Sequence, residues 1–158
     1  MRNSHRSAGV DLAGTPARVF VGYSSKDAVW LKRFQTMLAP LHNKQRLDVW
    51  DDSRIVPGQW RPQIDAAMRN ACVALFLVSD QLLGSEFVTQ NEMPELLRMA
   101  EERGLRVVWV LLRPCFWEEC GLRSYQGANA KRPLSGLKAA ERDKIIHAAC
   151  KTVLEVAG

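Results

Sequence analysis

One stretch of this chain carries more reactive side chains than a connection between elements needs: Leu47-Asp48-Val49-Trp50-Asp51-Asp52-Ser53-Arg54-Ile55-Val56-Pro57-Gly58-Gln59-Trp60. Pro57 and Gly58 are enough to make the turn. Asp51, Asp52, Arg54 and Trp60 add two carboxylates, a guanidinium and an indole, a surplus that points to binding or catalysis on a loop. A guanidinium can pair with an anion and an indole can offer a stacking face. Each has a plainer use as well. Arg54 can pair with Asp51 or Asp52 at the surface. Trp60 heads the stripe Ile64, Ala67, Met68 and Ala71, whose helical spacing suits a core.

These residues need strands and helices to hold them. Residues 1–16 mix Ser, Gly, Arg and Pro without periodicity and read as a tail, leaving 17–158 as one domain. Arg18 to Tyr23 is a β-prone run closed by Ser24-Ser25, which can cap the next helix. Trp30, Leu31, Phe34, Met37, Leu38 and Leu41 mark an amphipathic helix from Asp27, and Asn43-Lys44-Gln45 turns the chain into a strand over Leu47 to Trp50. The apolar runs Cys72 to Val78 and Arg106 to Leu112 suit strands buried on both faces. Between them, Ser79 to Ser85 forms a polar turn, with Ser79 and Ser85 as turn and cap residues. A helix over 87–102 comes next, stopped by Gly104 and expected to kink or restart at Pro94. Residues 115–133 are irregular, with one short edge strand expected near Ser124 to Gln126. A last helix over 139–156 is expected to bury Ile145, Ala149, Thr152 and Val153. Alternating strands and helices across short loops imply a parallel sheet with helices on both faces. Such sheets bind ligands at the carboxyl ends of their strands. The rule singles out Tyr23-Ser24-Ser25, Asp51-Asp52 and Ser79-Asp80.

Bulk properties remove several classes. The 158 residues carry a net charge of +5, but the cations are interleaved with acids, as in Glu141-Arg142-Asp143-Lys144. This pattern argues against a nucleic-acid surface and fits a mild attraction for anionic small molecules. No apolar run reaches the ~18 residues of a membrane span, and the N-terminus has no signal-peptide core, so the cytoplasm is the expected compartment. Cys115 and Cys120 have four residues between them and no second pair to complete a zinc site, so no metal is expected. A G-x-x-x-x-G-K-[ST] loop is missing, as are G-x-G-x-x-G and G-x-S-x-G. His5, His42 and His147 sit in the tail, near a helix end and in the last helix, away from any triad. A receiver domain would need an acidic cluster where Ser24-Ser25 stands.

Four pieces remain: VFVGYSSKD, VWDDSRIVPGQWRPQI, CVALFLVSDQLLGSEF and NEMPELL. In this order and spacing they resemble the TIR (Toll/interleukin-1 receptor) domain in its bacterial branch, over about residues 17–126. The resemblance implies a flavodoxin-like three-layer α/β fold with a parallel sheet of about five strands. It also implies that the 51–58 loop both mediates association with other TIR domains and borders a pocket for nicotinamide adenine dinucleotide (NAD). Many bacterial members cleave the nicotinamide–ribose bond with one glutamate, which corresponds here to Glu92, with Glu95 as the alternative one helical turn on. NAD is then a substrate and no separate cofactor is implied. Tyr23 and Trp60 would stack on the rings, Ser24 and Ser25 would offer hydroxyls, Asp51 would line the site and Arg54 would meet the pyrophosphate. Several animal members carry arginines where Ser24-Ser25 stands. The leading expectation is an NAD-cleaving enzyme switched on by self-assembly in antiphage or stress defence, toward which Asp51, Asp52 and Arg54 tilt the balance. The alternative is a non-catalytic adaptor that only binds other TIR domains, and a third is one module of a longer sensor.

Overall fold

A computed structural model describes residues 16–51, 60–84, 92–125 and 127–158; the side chains of Trp50, Asp51, Trp60, Arg61 and Glu92 lie outside that description. The β-prone runs become strands β1 (Ala17–Gly22), β2 (Leu47–Asp51), β3 (Ala71–Val78) and β4 (Arg106–Leu111). The helices are α1 (Ala28–Asn43), α2 (Trp60–Arg69), the single turn α3 (Asp80–Leu83), α4 (Glu92–Glu102) and α5 (Ala139–Ala157). All strand pairings are parallel, in the order β2-β1-β3-β4. This is the flavodoxin-like order, in which the chain leaves β1 toward one side and returns to the other.

Strand alternation splits the core in two. Val19, Val21, Val73, Leu75, Leu77, Val108 and Val110 meet Leu31, Phe34, Leu38, Ile146 and Val153 of α1 and α5. Phe20, Ala74, Phe76, Val78, Trp109 and Leu111 meet Ile64 and Met68 of α2 and Leu96 and Ala100 of α4. Gly22 is required by this second layer: a Cβ there would stand 2.7 Å from the Phe76 ring.

Helix ends depend on single residues. Gly104 (φ +77°) ends α4, with its N–H donating to Glu101 O and the Leu105 N–H to Ala100 O. This is the paired arrangement that satisfies terminal helix carbonyls. Gln45 does the same for α1 at φ 58°, a conformation that suits glycine better. Of the helix expected over 87–102, residues 92–102 are described. Pro94 is the third residue of α4, where a missing N–H removes no intrahelical bond.

Three expectations need correction. The sheet has four strands among the described residues, not five. The fifth position is held by a single bridge between Gly127 and Trp109 and by the buried side chain of Asn129. The Asn129 amide donates to Leu111 O at 2.9 Å, and its oxygen accepts from Leu111 N at 2.9 Å. One side chain thus pairs the outer edge of β4, and no further strand is needed there. Ser124, expected in an edge strand, lies instead in a 3-10 turn over Leu122–Ser124. In α5 the buried stripe is Ile146, Ala149, Cys150, Val153 and Ala157, whereas Thr152 is exposed and donates to Ala148 O.

Candidate functional site at the carboxyl edge of the sheet

A parallel sheet brings its strand ends, and the starts of the succeeding helices, to one edge. Here the edge gathers residues 23–27 after β1, Asp51 at the end of β2, Trp60 at the start of α2, Ser79-Asp80 after β3, Glu92 at the start of α4 and Leu112-Arg113 after β4. Of the residues singled out from sequence, Tyr23, Ser24, Ser25, Asp51, Trp60 and Glu92 therefore share this edge by their backbone positions. Arg54 lies outside the described residues, as do Asp52 and Ser85.

The three residues after β1 differ in exposure. Tyr23 is buried in the core beneath α1 and α5. Ser24 is buried too, and its hydroxyl accepts from the Lys26 N–H at 3.2 Å, capping a 3-10 turn over Ser25–Asp27. Ser25 is exposed.

The most unusual group on the edge is Asp27. It precedes α1 at the capping position but makes no side-chain cap bond. Its carboxylate is fully buried, and Oδ2 accepts from the Ser79 hydroxyl at 2.5 Å. Ser79 also caps α3, its Oγ accepting from the Leu82 N–H at 3.1 Å. Because Asp27 comes after β1 and Ser79 after β3, this bond spans the point where the strand order reverses. In sheets of this kind the reversal opens the ligand crevice. Asp27 Oδ1 has no hydrogen-bond partner among the described residues, and its nearest cation is Arg113 Nε at 3.8 Å. A buried carboxylate with one oxygen unbonded is costly to keep. The N-terminus of α1 and the Arg113 charge offset part of that cost.

The family model of the TIR domain matches residues 19–146. The chain belongs to the TIR domain family. Comparison with curated proteins returns no match. In this TIR domain the matched region runs from β1 into α5 and takes in the whole carboxyl edge.

Other groups near the edge are chemically quiet. The Cys115 thiol is pushed up to about 11, chiefly by burial, against a lowering by the Trp117 N–H and with a smaller further raising from the Asp80 charge. It stays protonated at neutral pH and is no nucleophile. Among the described residues no group of three or more His, Cys, Asp or Glu could hold a metal ion, and no helix is long and apolar enough to cross a membrane. A groove of about 280 Å³ lies on the flank of α4, lined by Pro94, Leu97, Glu101, Gly121 and Tyr125 among others. There the Tyr125 hydroxyl donates to Glu101 at 3.3 Å.

Sequence reasoning takes Asp27 only as the start of a helix and passes over Arg113. Two weak signals point to them. The hydroxyl of Ser24 stands three residues before the acid Asp27, and Arg113 is fixed between a buried strand and Pro114.

Proposed function

We propose that this TIR domain cleaves the nicotinamide–ribose bond of NAD, with Glu92 as the catalytic carboxylate and linear or cyclic ADP-ribose as product. The observation that carries the reading is the position of Glu92. It opens α4 at the same edge as the β1/β3 crevice, where parallel sheets receive ligands. Breaking this bond builds positive charge on the ribose, while nicotinamide leaves as a neutral base and needs little acid help. One carboxylate beside the ribose can therefore do most of the work, by stabilising the cation or holding its hydroxyls. In this reading Trp60 borders the rings, the exposed Ser25 meets the polar groups and Asp51 lines the site, while the buried Tyr23 and Ser24 support this wall from beneath. Arg54 meets the pyrophosphate. NAD is the substrate, and no further cofactor takes part. Residues 17–158 act as one domain that self-associates through the 51–60 loop. The setting is a cytoplasmic bacterial defence effector switched on by assembly.

A second reading, a non-catalytic adaptor that only binds other TIR domains, draws on two exposed apolar side chains, Val29 (77% exposed) and Phe116 (81% exposed). Large exposed apolar groups favour protein contact when they cluster. Nicotinamide release separates the two. Concentrated wild-type protein incubated with NAD is expected to release nicotinamide, and Glu92→Ala to abolish that release. A wild type that releases none even when crowded or filamentous supports the adaptor. Full activity in Glu92→Ala would instead remove Glu92 from the site.

A further inference from the structure

We propose that Arg113 is an anion-anchoring residue of the carboxyl edge and binds the pyrophosphate of the ligand through its terminal nitrogens. This rests on the NAD reading for the identity of the ligand, but not for the existence of the anion site. Three observations carry it. First, the residue is fixed. Leu112 is fully buried, its N–H donates to Val78 O and its carbonyl accepts from Ser135 N, while Pro114 restricts the backbone on the other side. A rigid backbone is what a binding residue needs.

Second, the guanidinium is only partly used. Nε faces Asp27 at 3.8 Å, the side chain is 47% exposed, and among the described residues Asp27 is its only charged partner. A guanidinium has five N–H donors in a planar fork, so engagement through Nε leaves both terminal nitrogens for a bidentate contact with phosphate. Third, the counter-charge is buried and incompletely satisfied. Asp27 Oδ1 has no hydrogen bond among the described residues, so the pair is poorly built as a purely structural ion pair. Held at Nε by Asp27, the guanidinium is oriented while its terminal nitrogens stay available to an anion.

The plain alternative is that Arg113 only neutralises Asp27. Calorimetric titration of the full chain with inorganic pyrophosphate separates the two, because it needs neither turnover nor NAD. Wild type is expected to bind. Arg113→Gln is expected to bind about ten- to a hundredfold more weakly, the value of charged hydrogen bonds. Arg69→Gln, which removes an equal charge at the far end of α2, is expected to bind like wild type. Should Arg113→Gln fail to fold, Arg113→Lys carries the test, keeping the charge while losing the fork and weakening binding by about tenfold. Equal affinity in wild type and the Arg113 variants, or no binding by wild type, would overturn the proposal. Arg113-dependent pyrophosphate binding without nicotinamide release would uphold the anion site and sink the nucleosidase reading. Nicotinamide release with Arg113-independent binding would do the reverse.

Discussion

Two buried polar side chains, Asn129 on the outer edge of β4 and Asp27 at the β1/β3 crevice, are built in opposite ways. Asn129 uses its amide fully: it donates to Leu111 O and to Arg132 O and accepts from Leu111 N. Asp27 is equally hidden but leaves one oxygen without a hydrogen bond among the described residues and faces a half-exposed arginine at 3.8 Å. A fully paired buried group contributes rigidity and closes a structural gap. A partly paired one is tolerated only where something other than stability is served. The difference separates a closed β4 outer edge, which serves as scaffold, from the β1/β3 crevice, where the proposed site lies.

Removing the scaffold group should have the largest effect. Asn129→Ala strands the N–H and C=O of Leu111 in the interior and should cost about 3 kcal/mol of unfolding free energy, measured by urea denaturation. Asp27→Asn keeps an acceptor for Ser79 and removes a buried charge, so it should change stability by less than about 1 kcal/mol in either direction. Equal losses from the two variants would erase the contrast between scaffold and working edge.

The scaffold is largely legible in the sequence. CVALFLV and RVVWVLL are apolar on both faces because both sheet faces are covered, whereas a strand with one wet face would alternate. The stop at four strands among the described residues is not legible, because a side-chain amide takes the place of backbone pairing and nothing in Gly127-Ala128-Asn129 announces that. The α5 stripe is blurred at Thr152 because the small residues Ala148, Ala149 and Cys150 give little contrast between faces. Asp27 is hidden in the sequence because an acid before a helix is ordinarily a cap. Only the structure shows its carboxylate turned away from its own helix toward Ser79.

Alkaline pH probes the closed interior. Burial pushes the Cys150 thiol from the ordinary 9.0 up to about 12, and Cys115 up to about 11. Both pKa values are raised on folding, so their contribution is fully present below about pH 9 and is lost as pH rises from there toward the folded values. The melting temperature should therefore fall above about pH 9, and Cys150→Ala should flatten that slope. The smallest expected change is a gain at a site remote from both regions. Gln45→Gly relieves a left-handed conformation after α1 and should add about 0.5 to 1 kcal/mol without altering ligand binding.

Hydrogen–deuterium exchange with and without ADP-ribose tests the placement of the working edge most directly. Added ligand should protect residues 22–27, Ser79 to Leu82 and Leu112 to Cys115, the segments that meet around Asp27 and Arg113. Protection confined to the groove of Pro94, Gly121 and Tyr125, or to the opposite edge of the sheet, would contradict that placement.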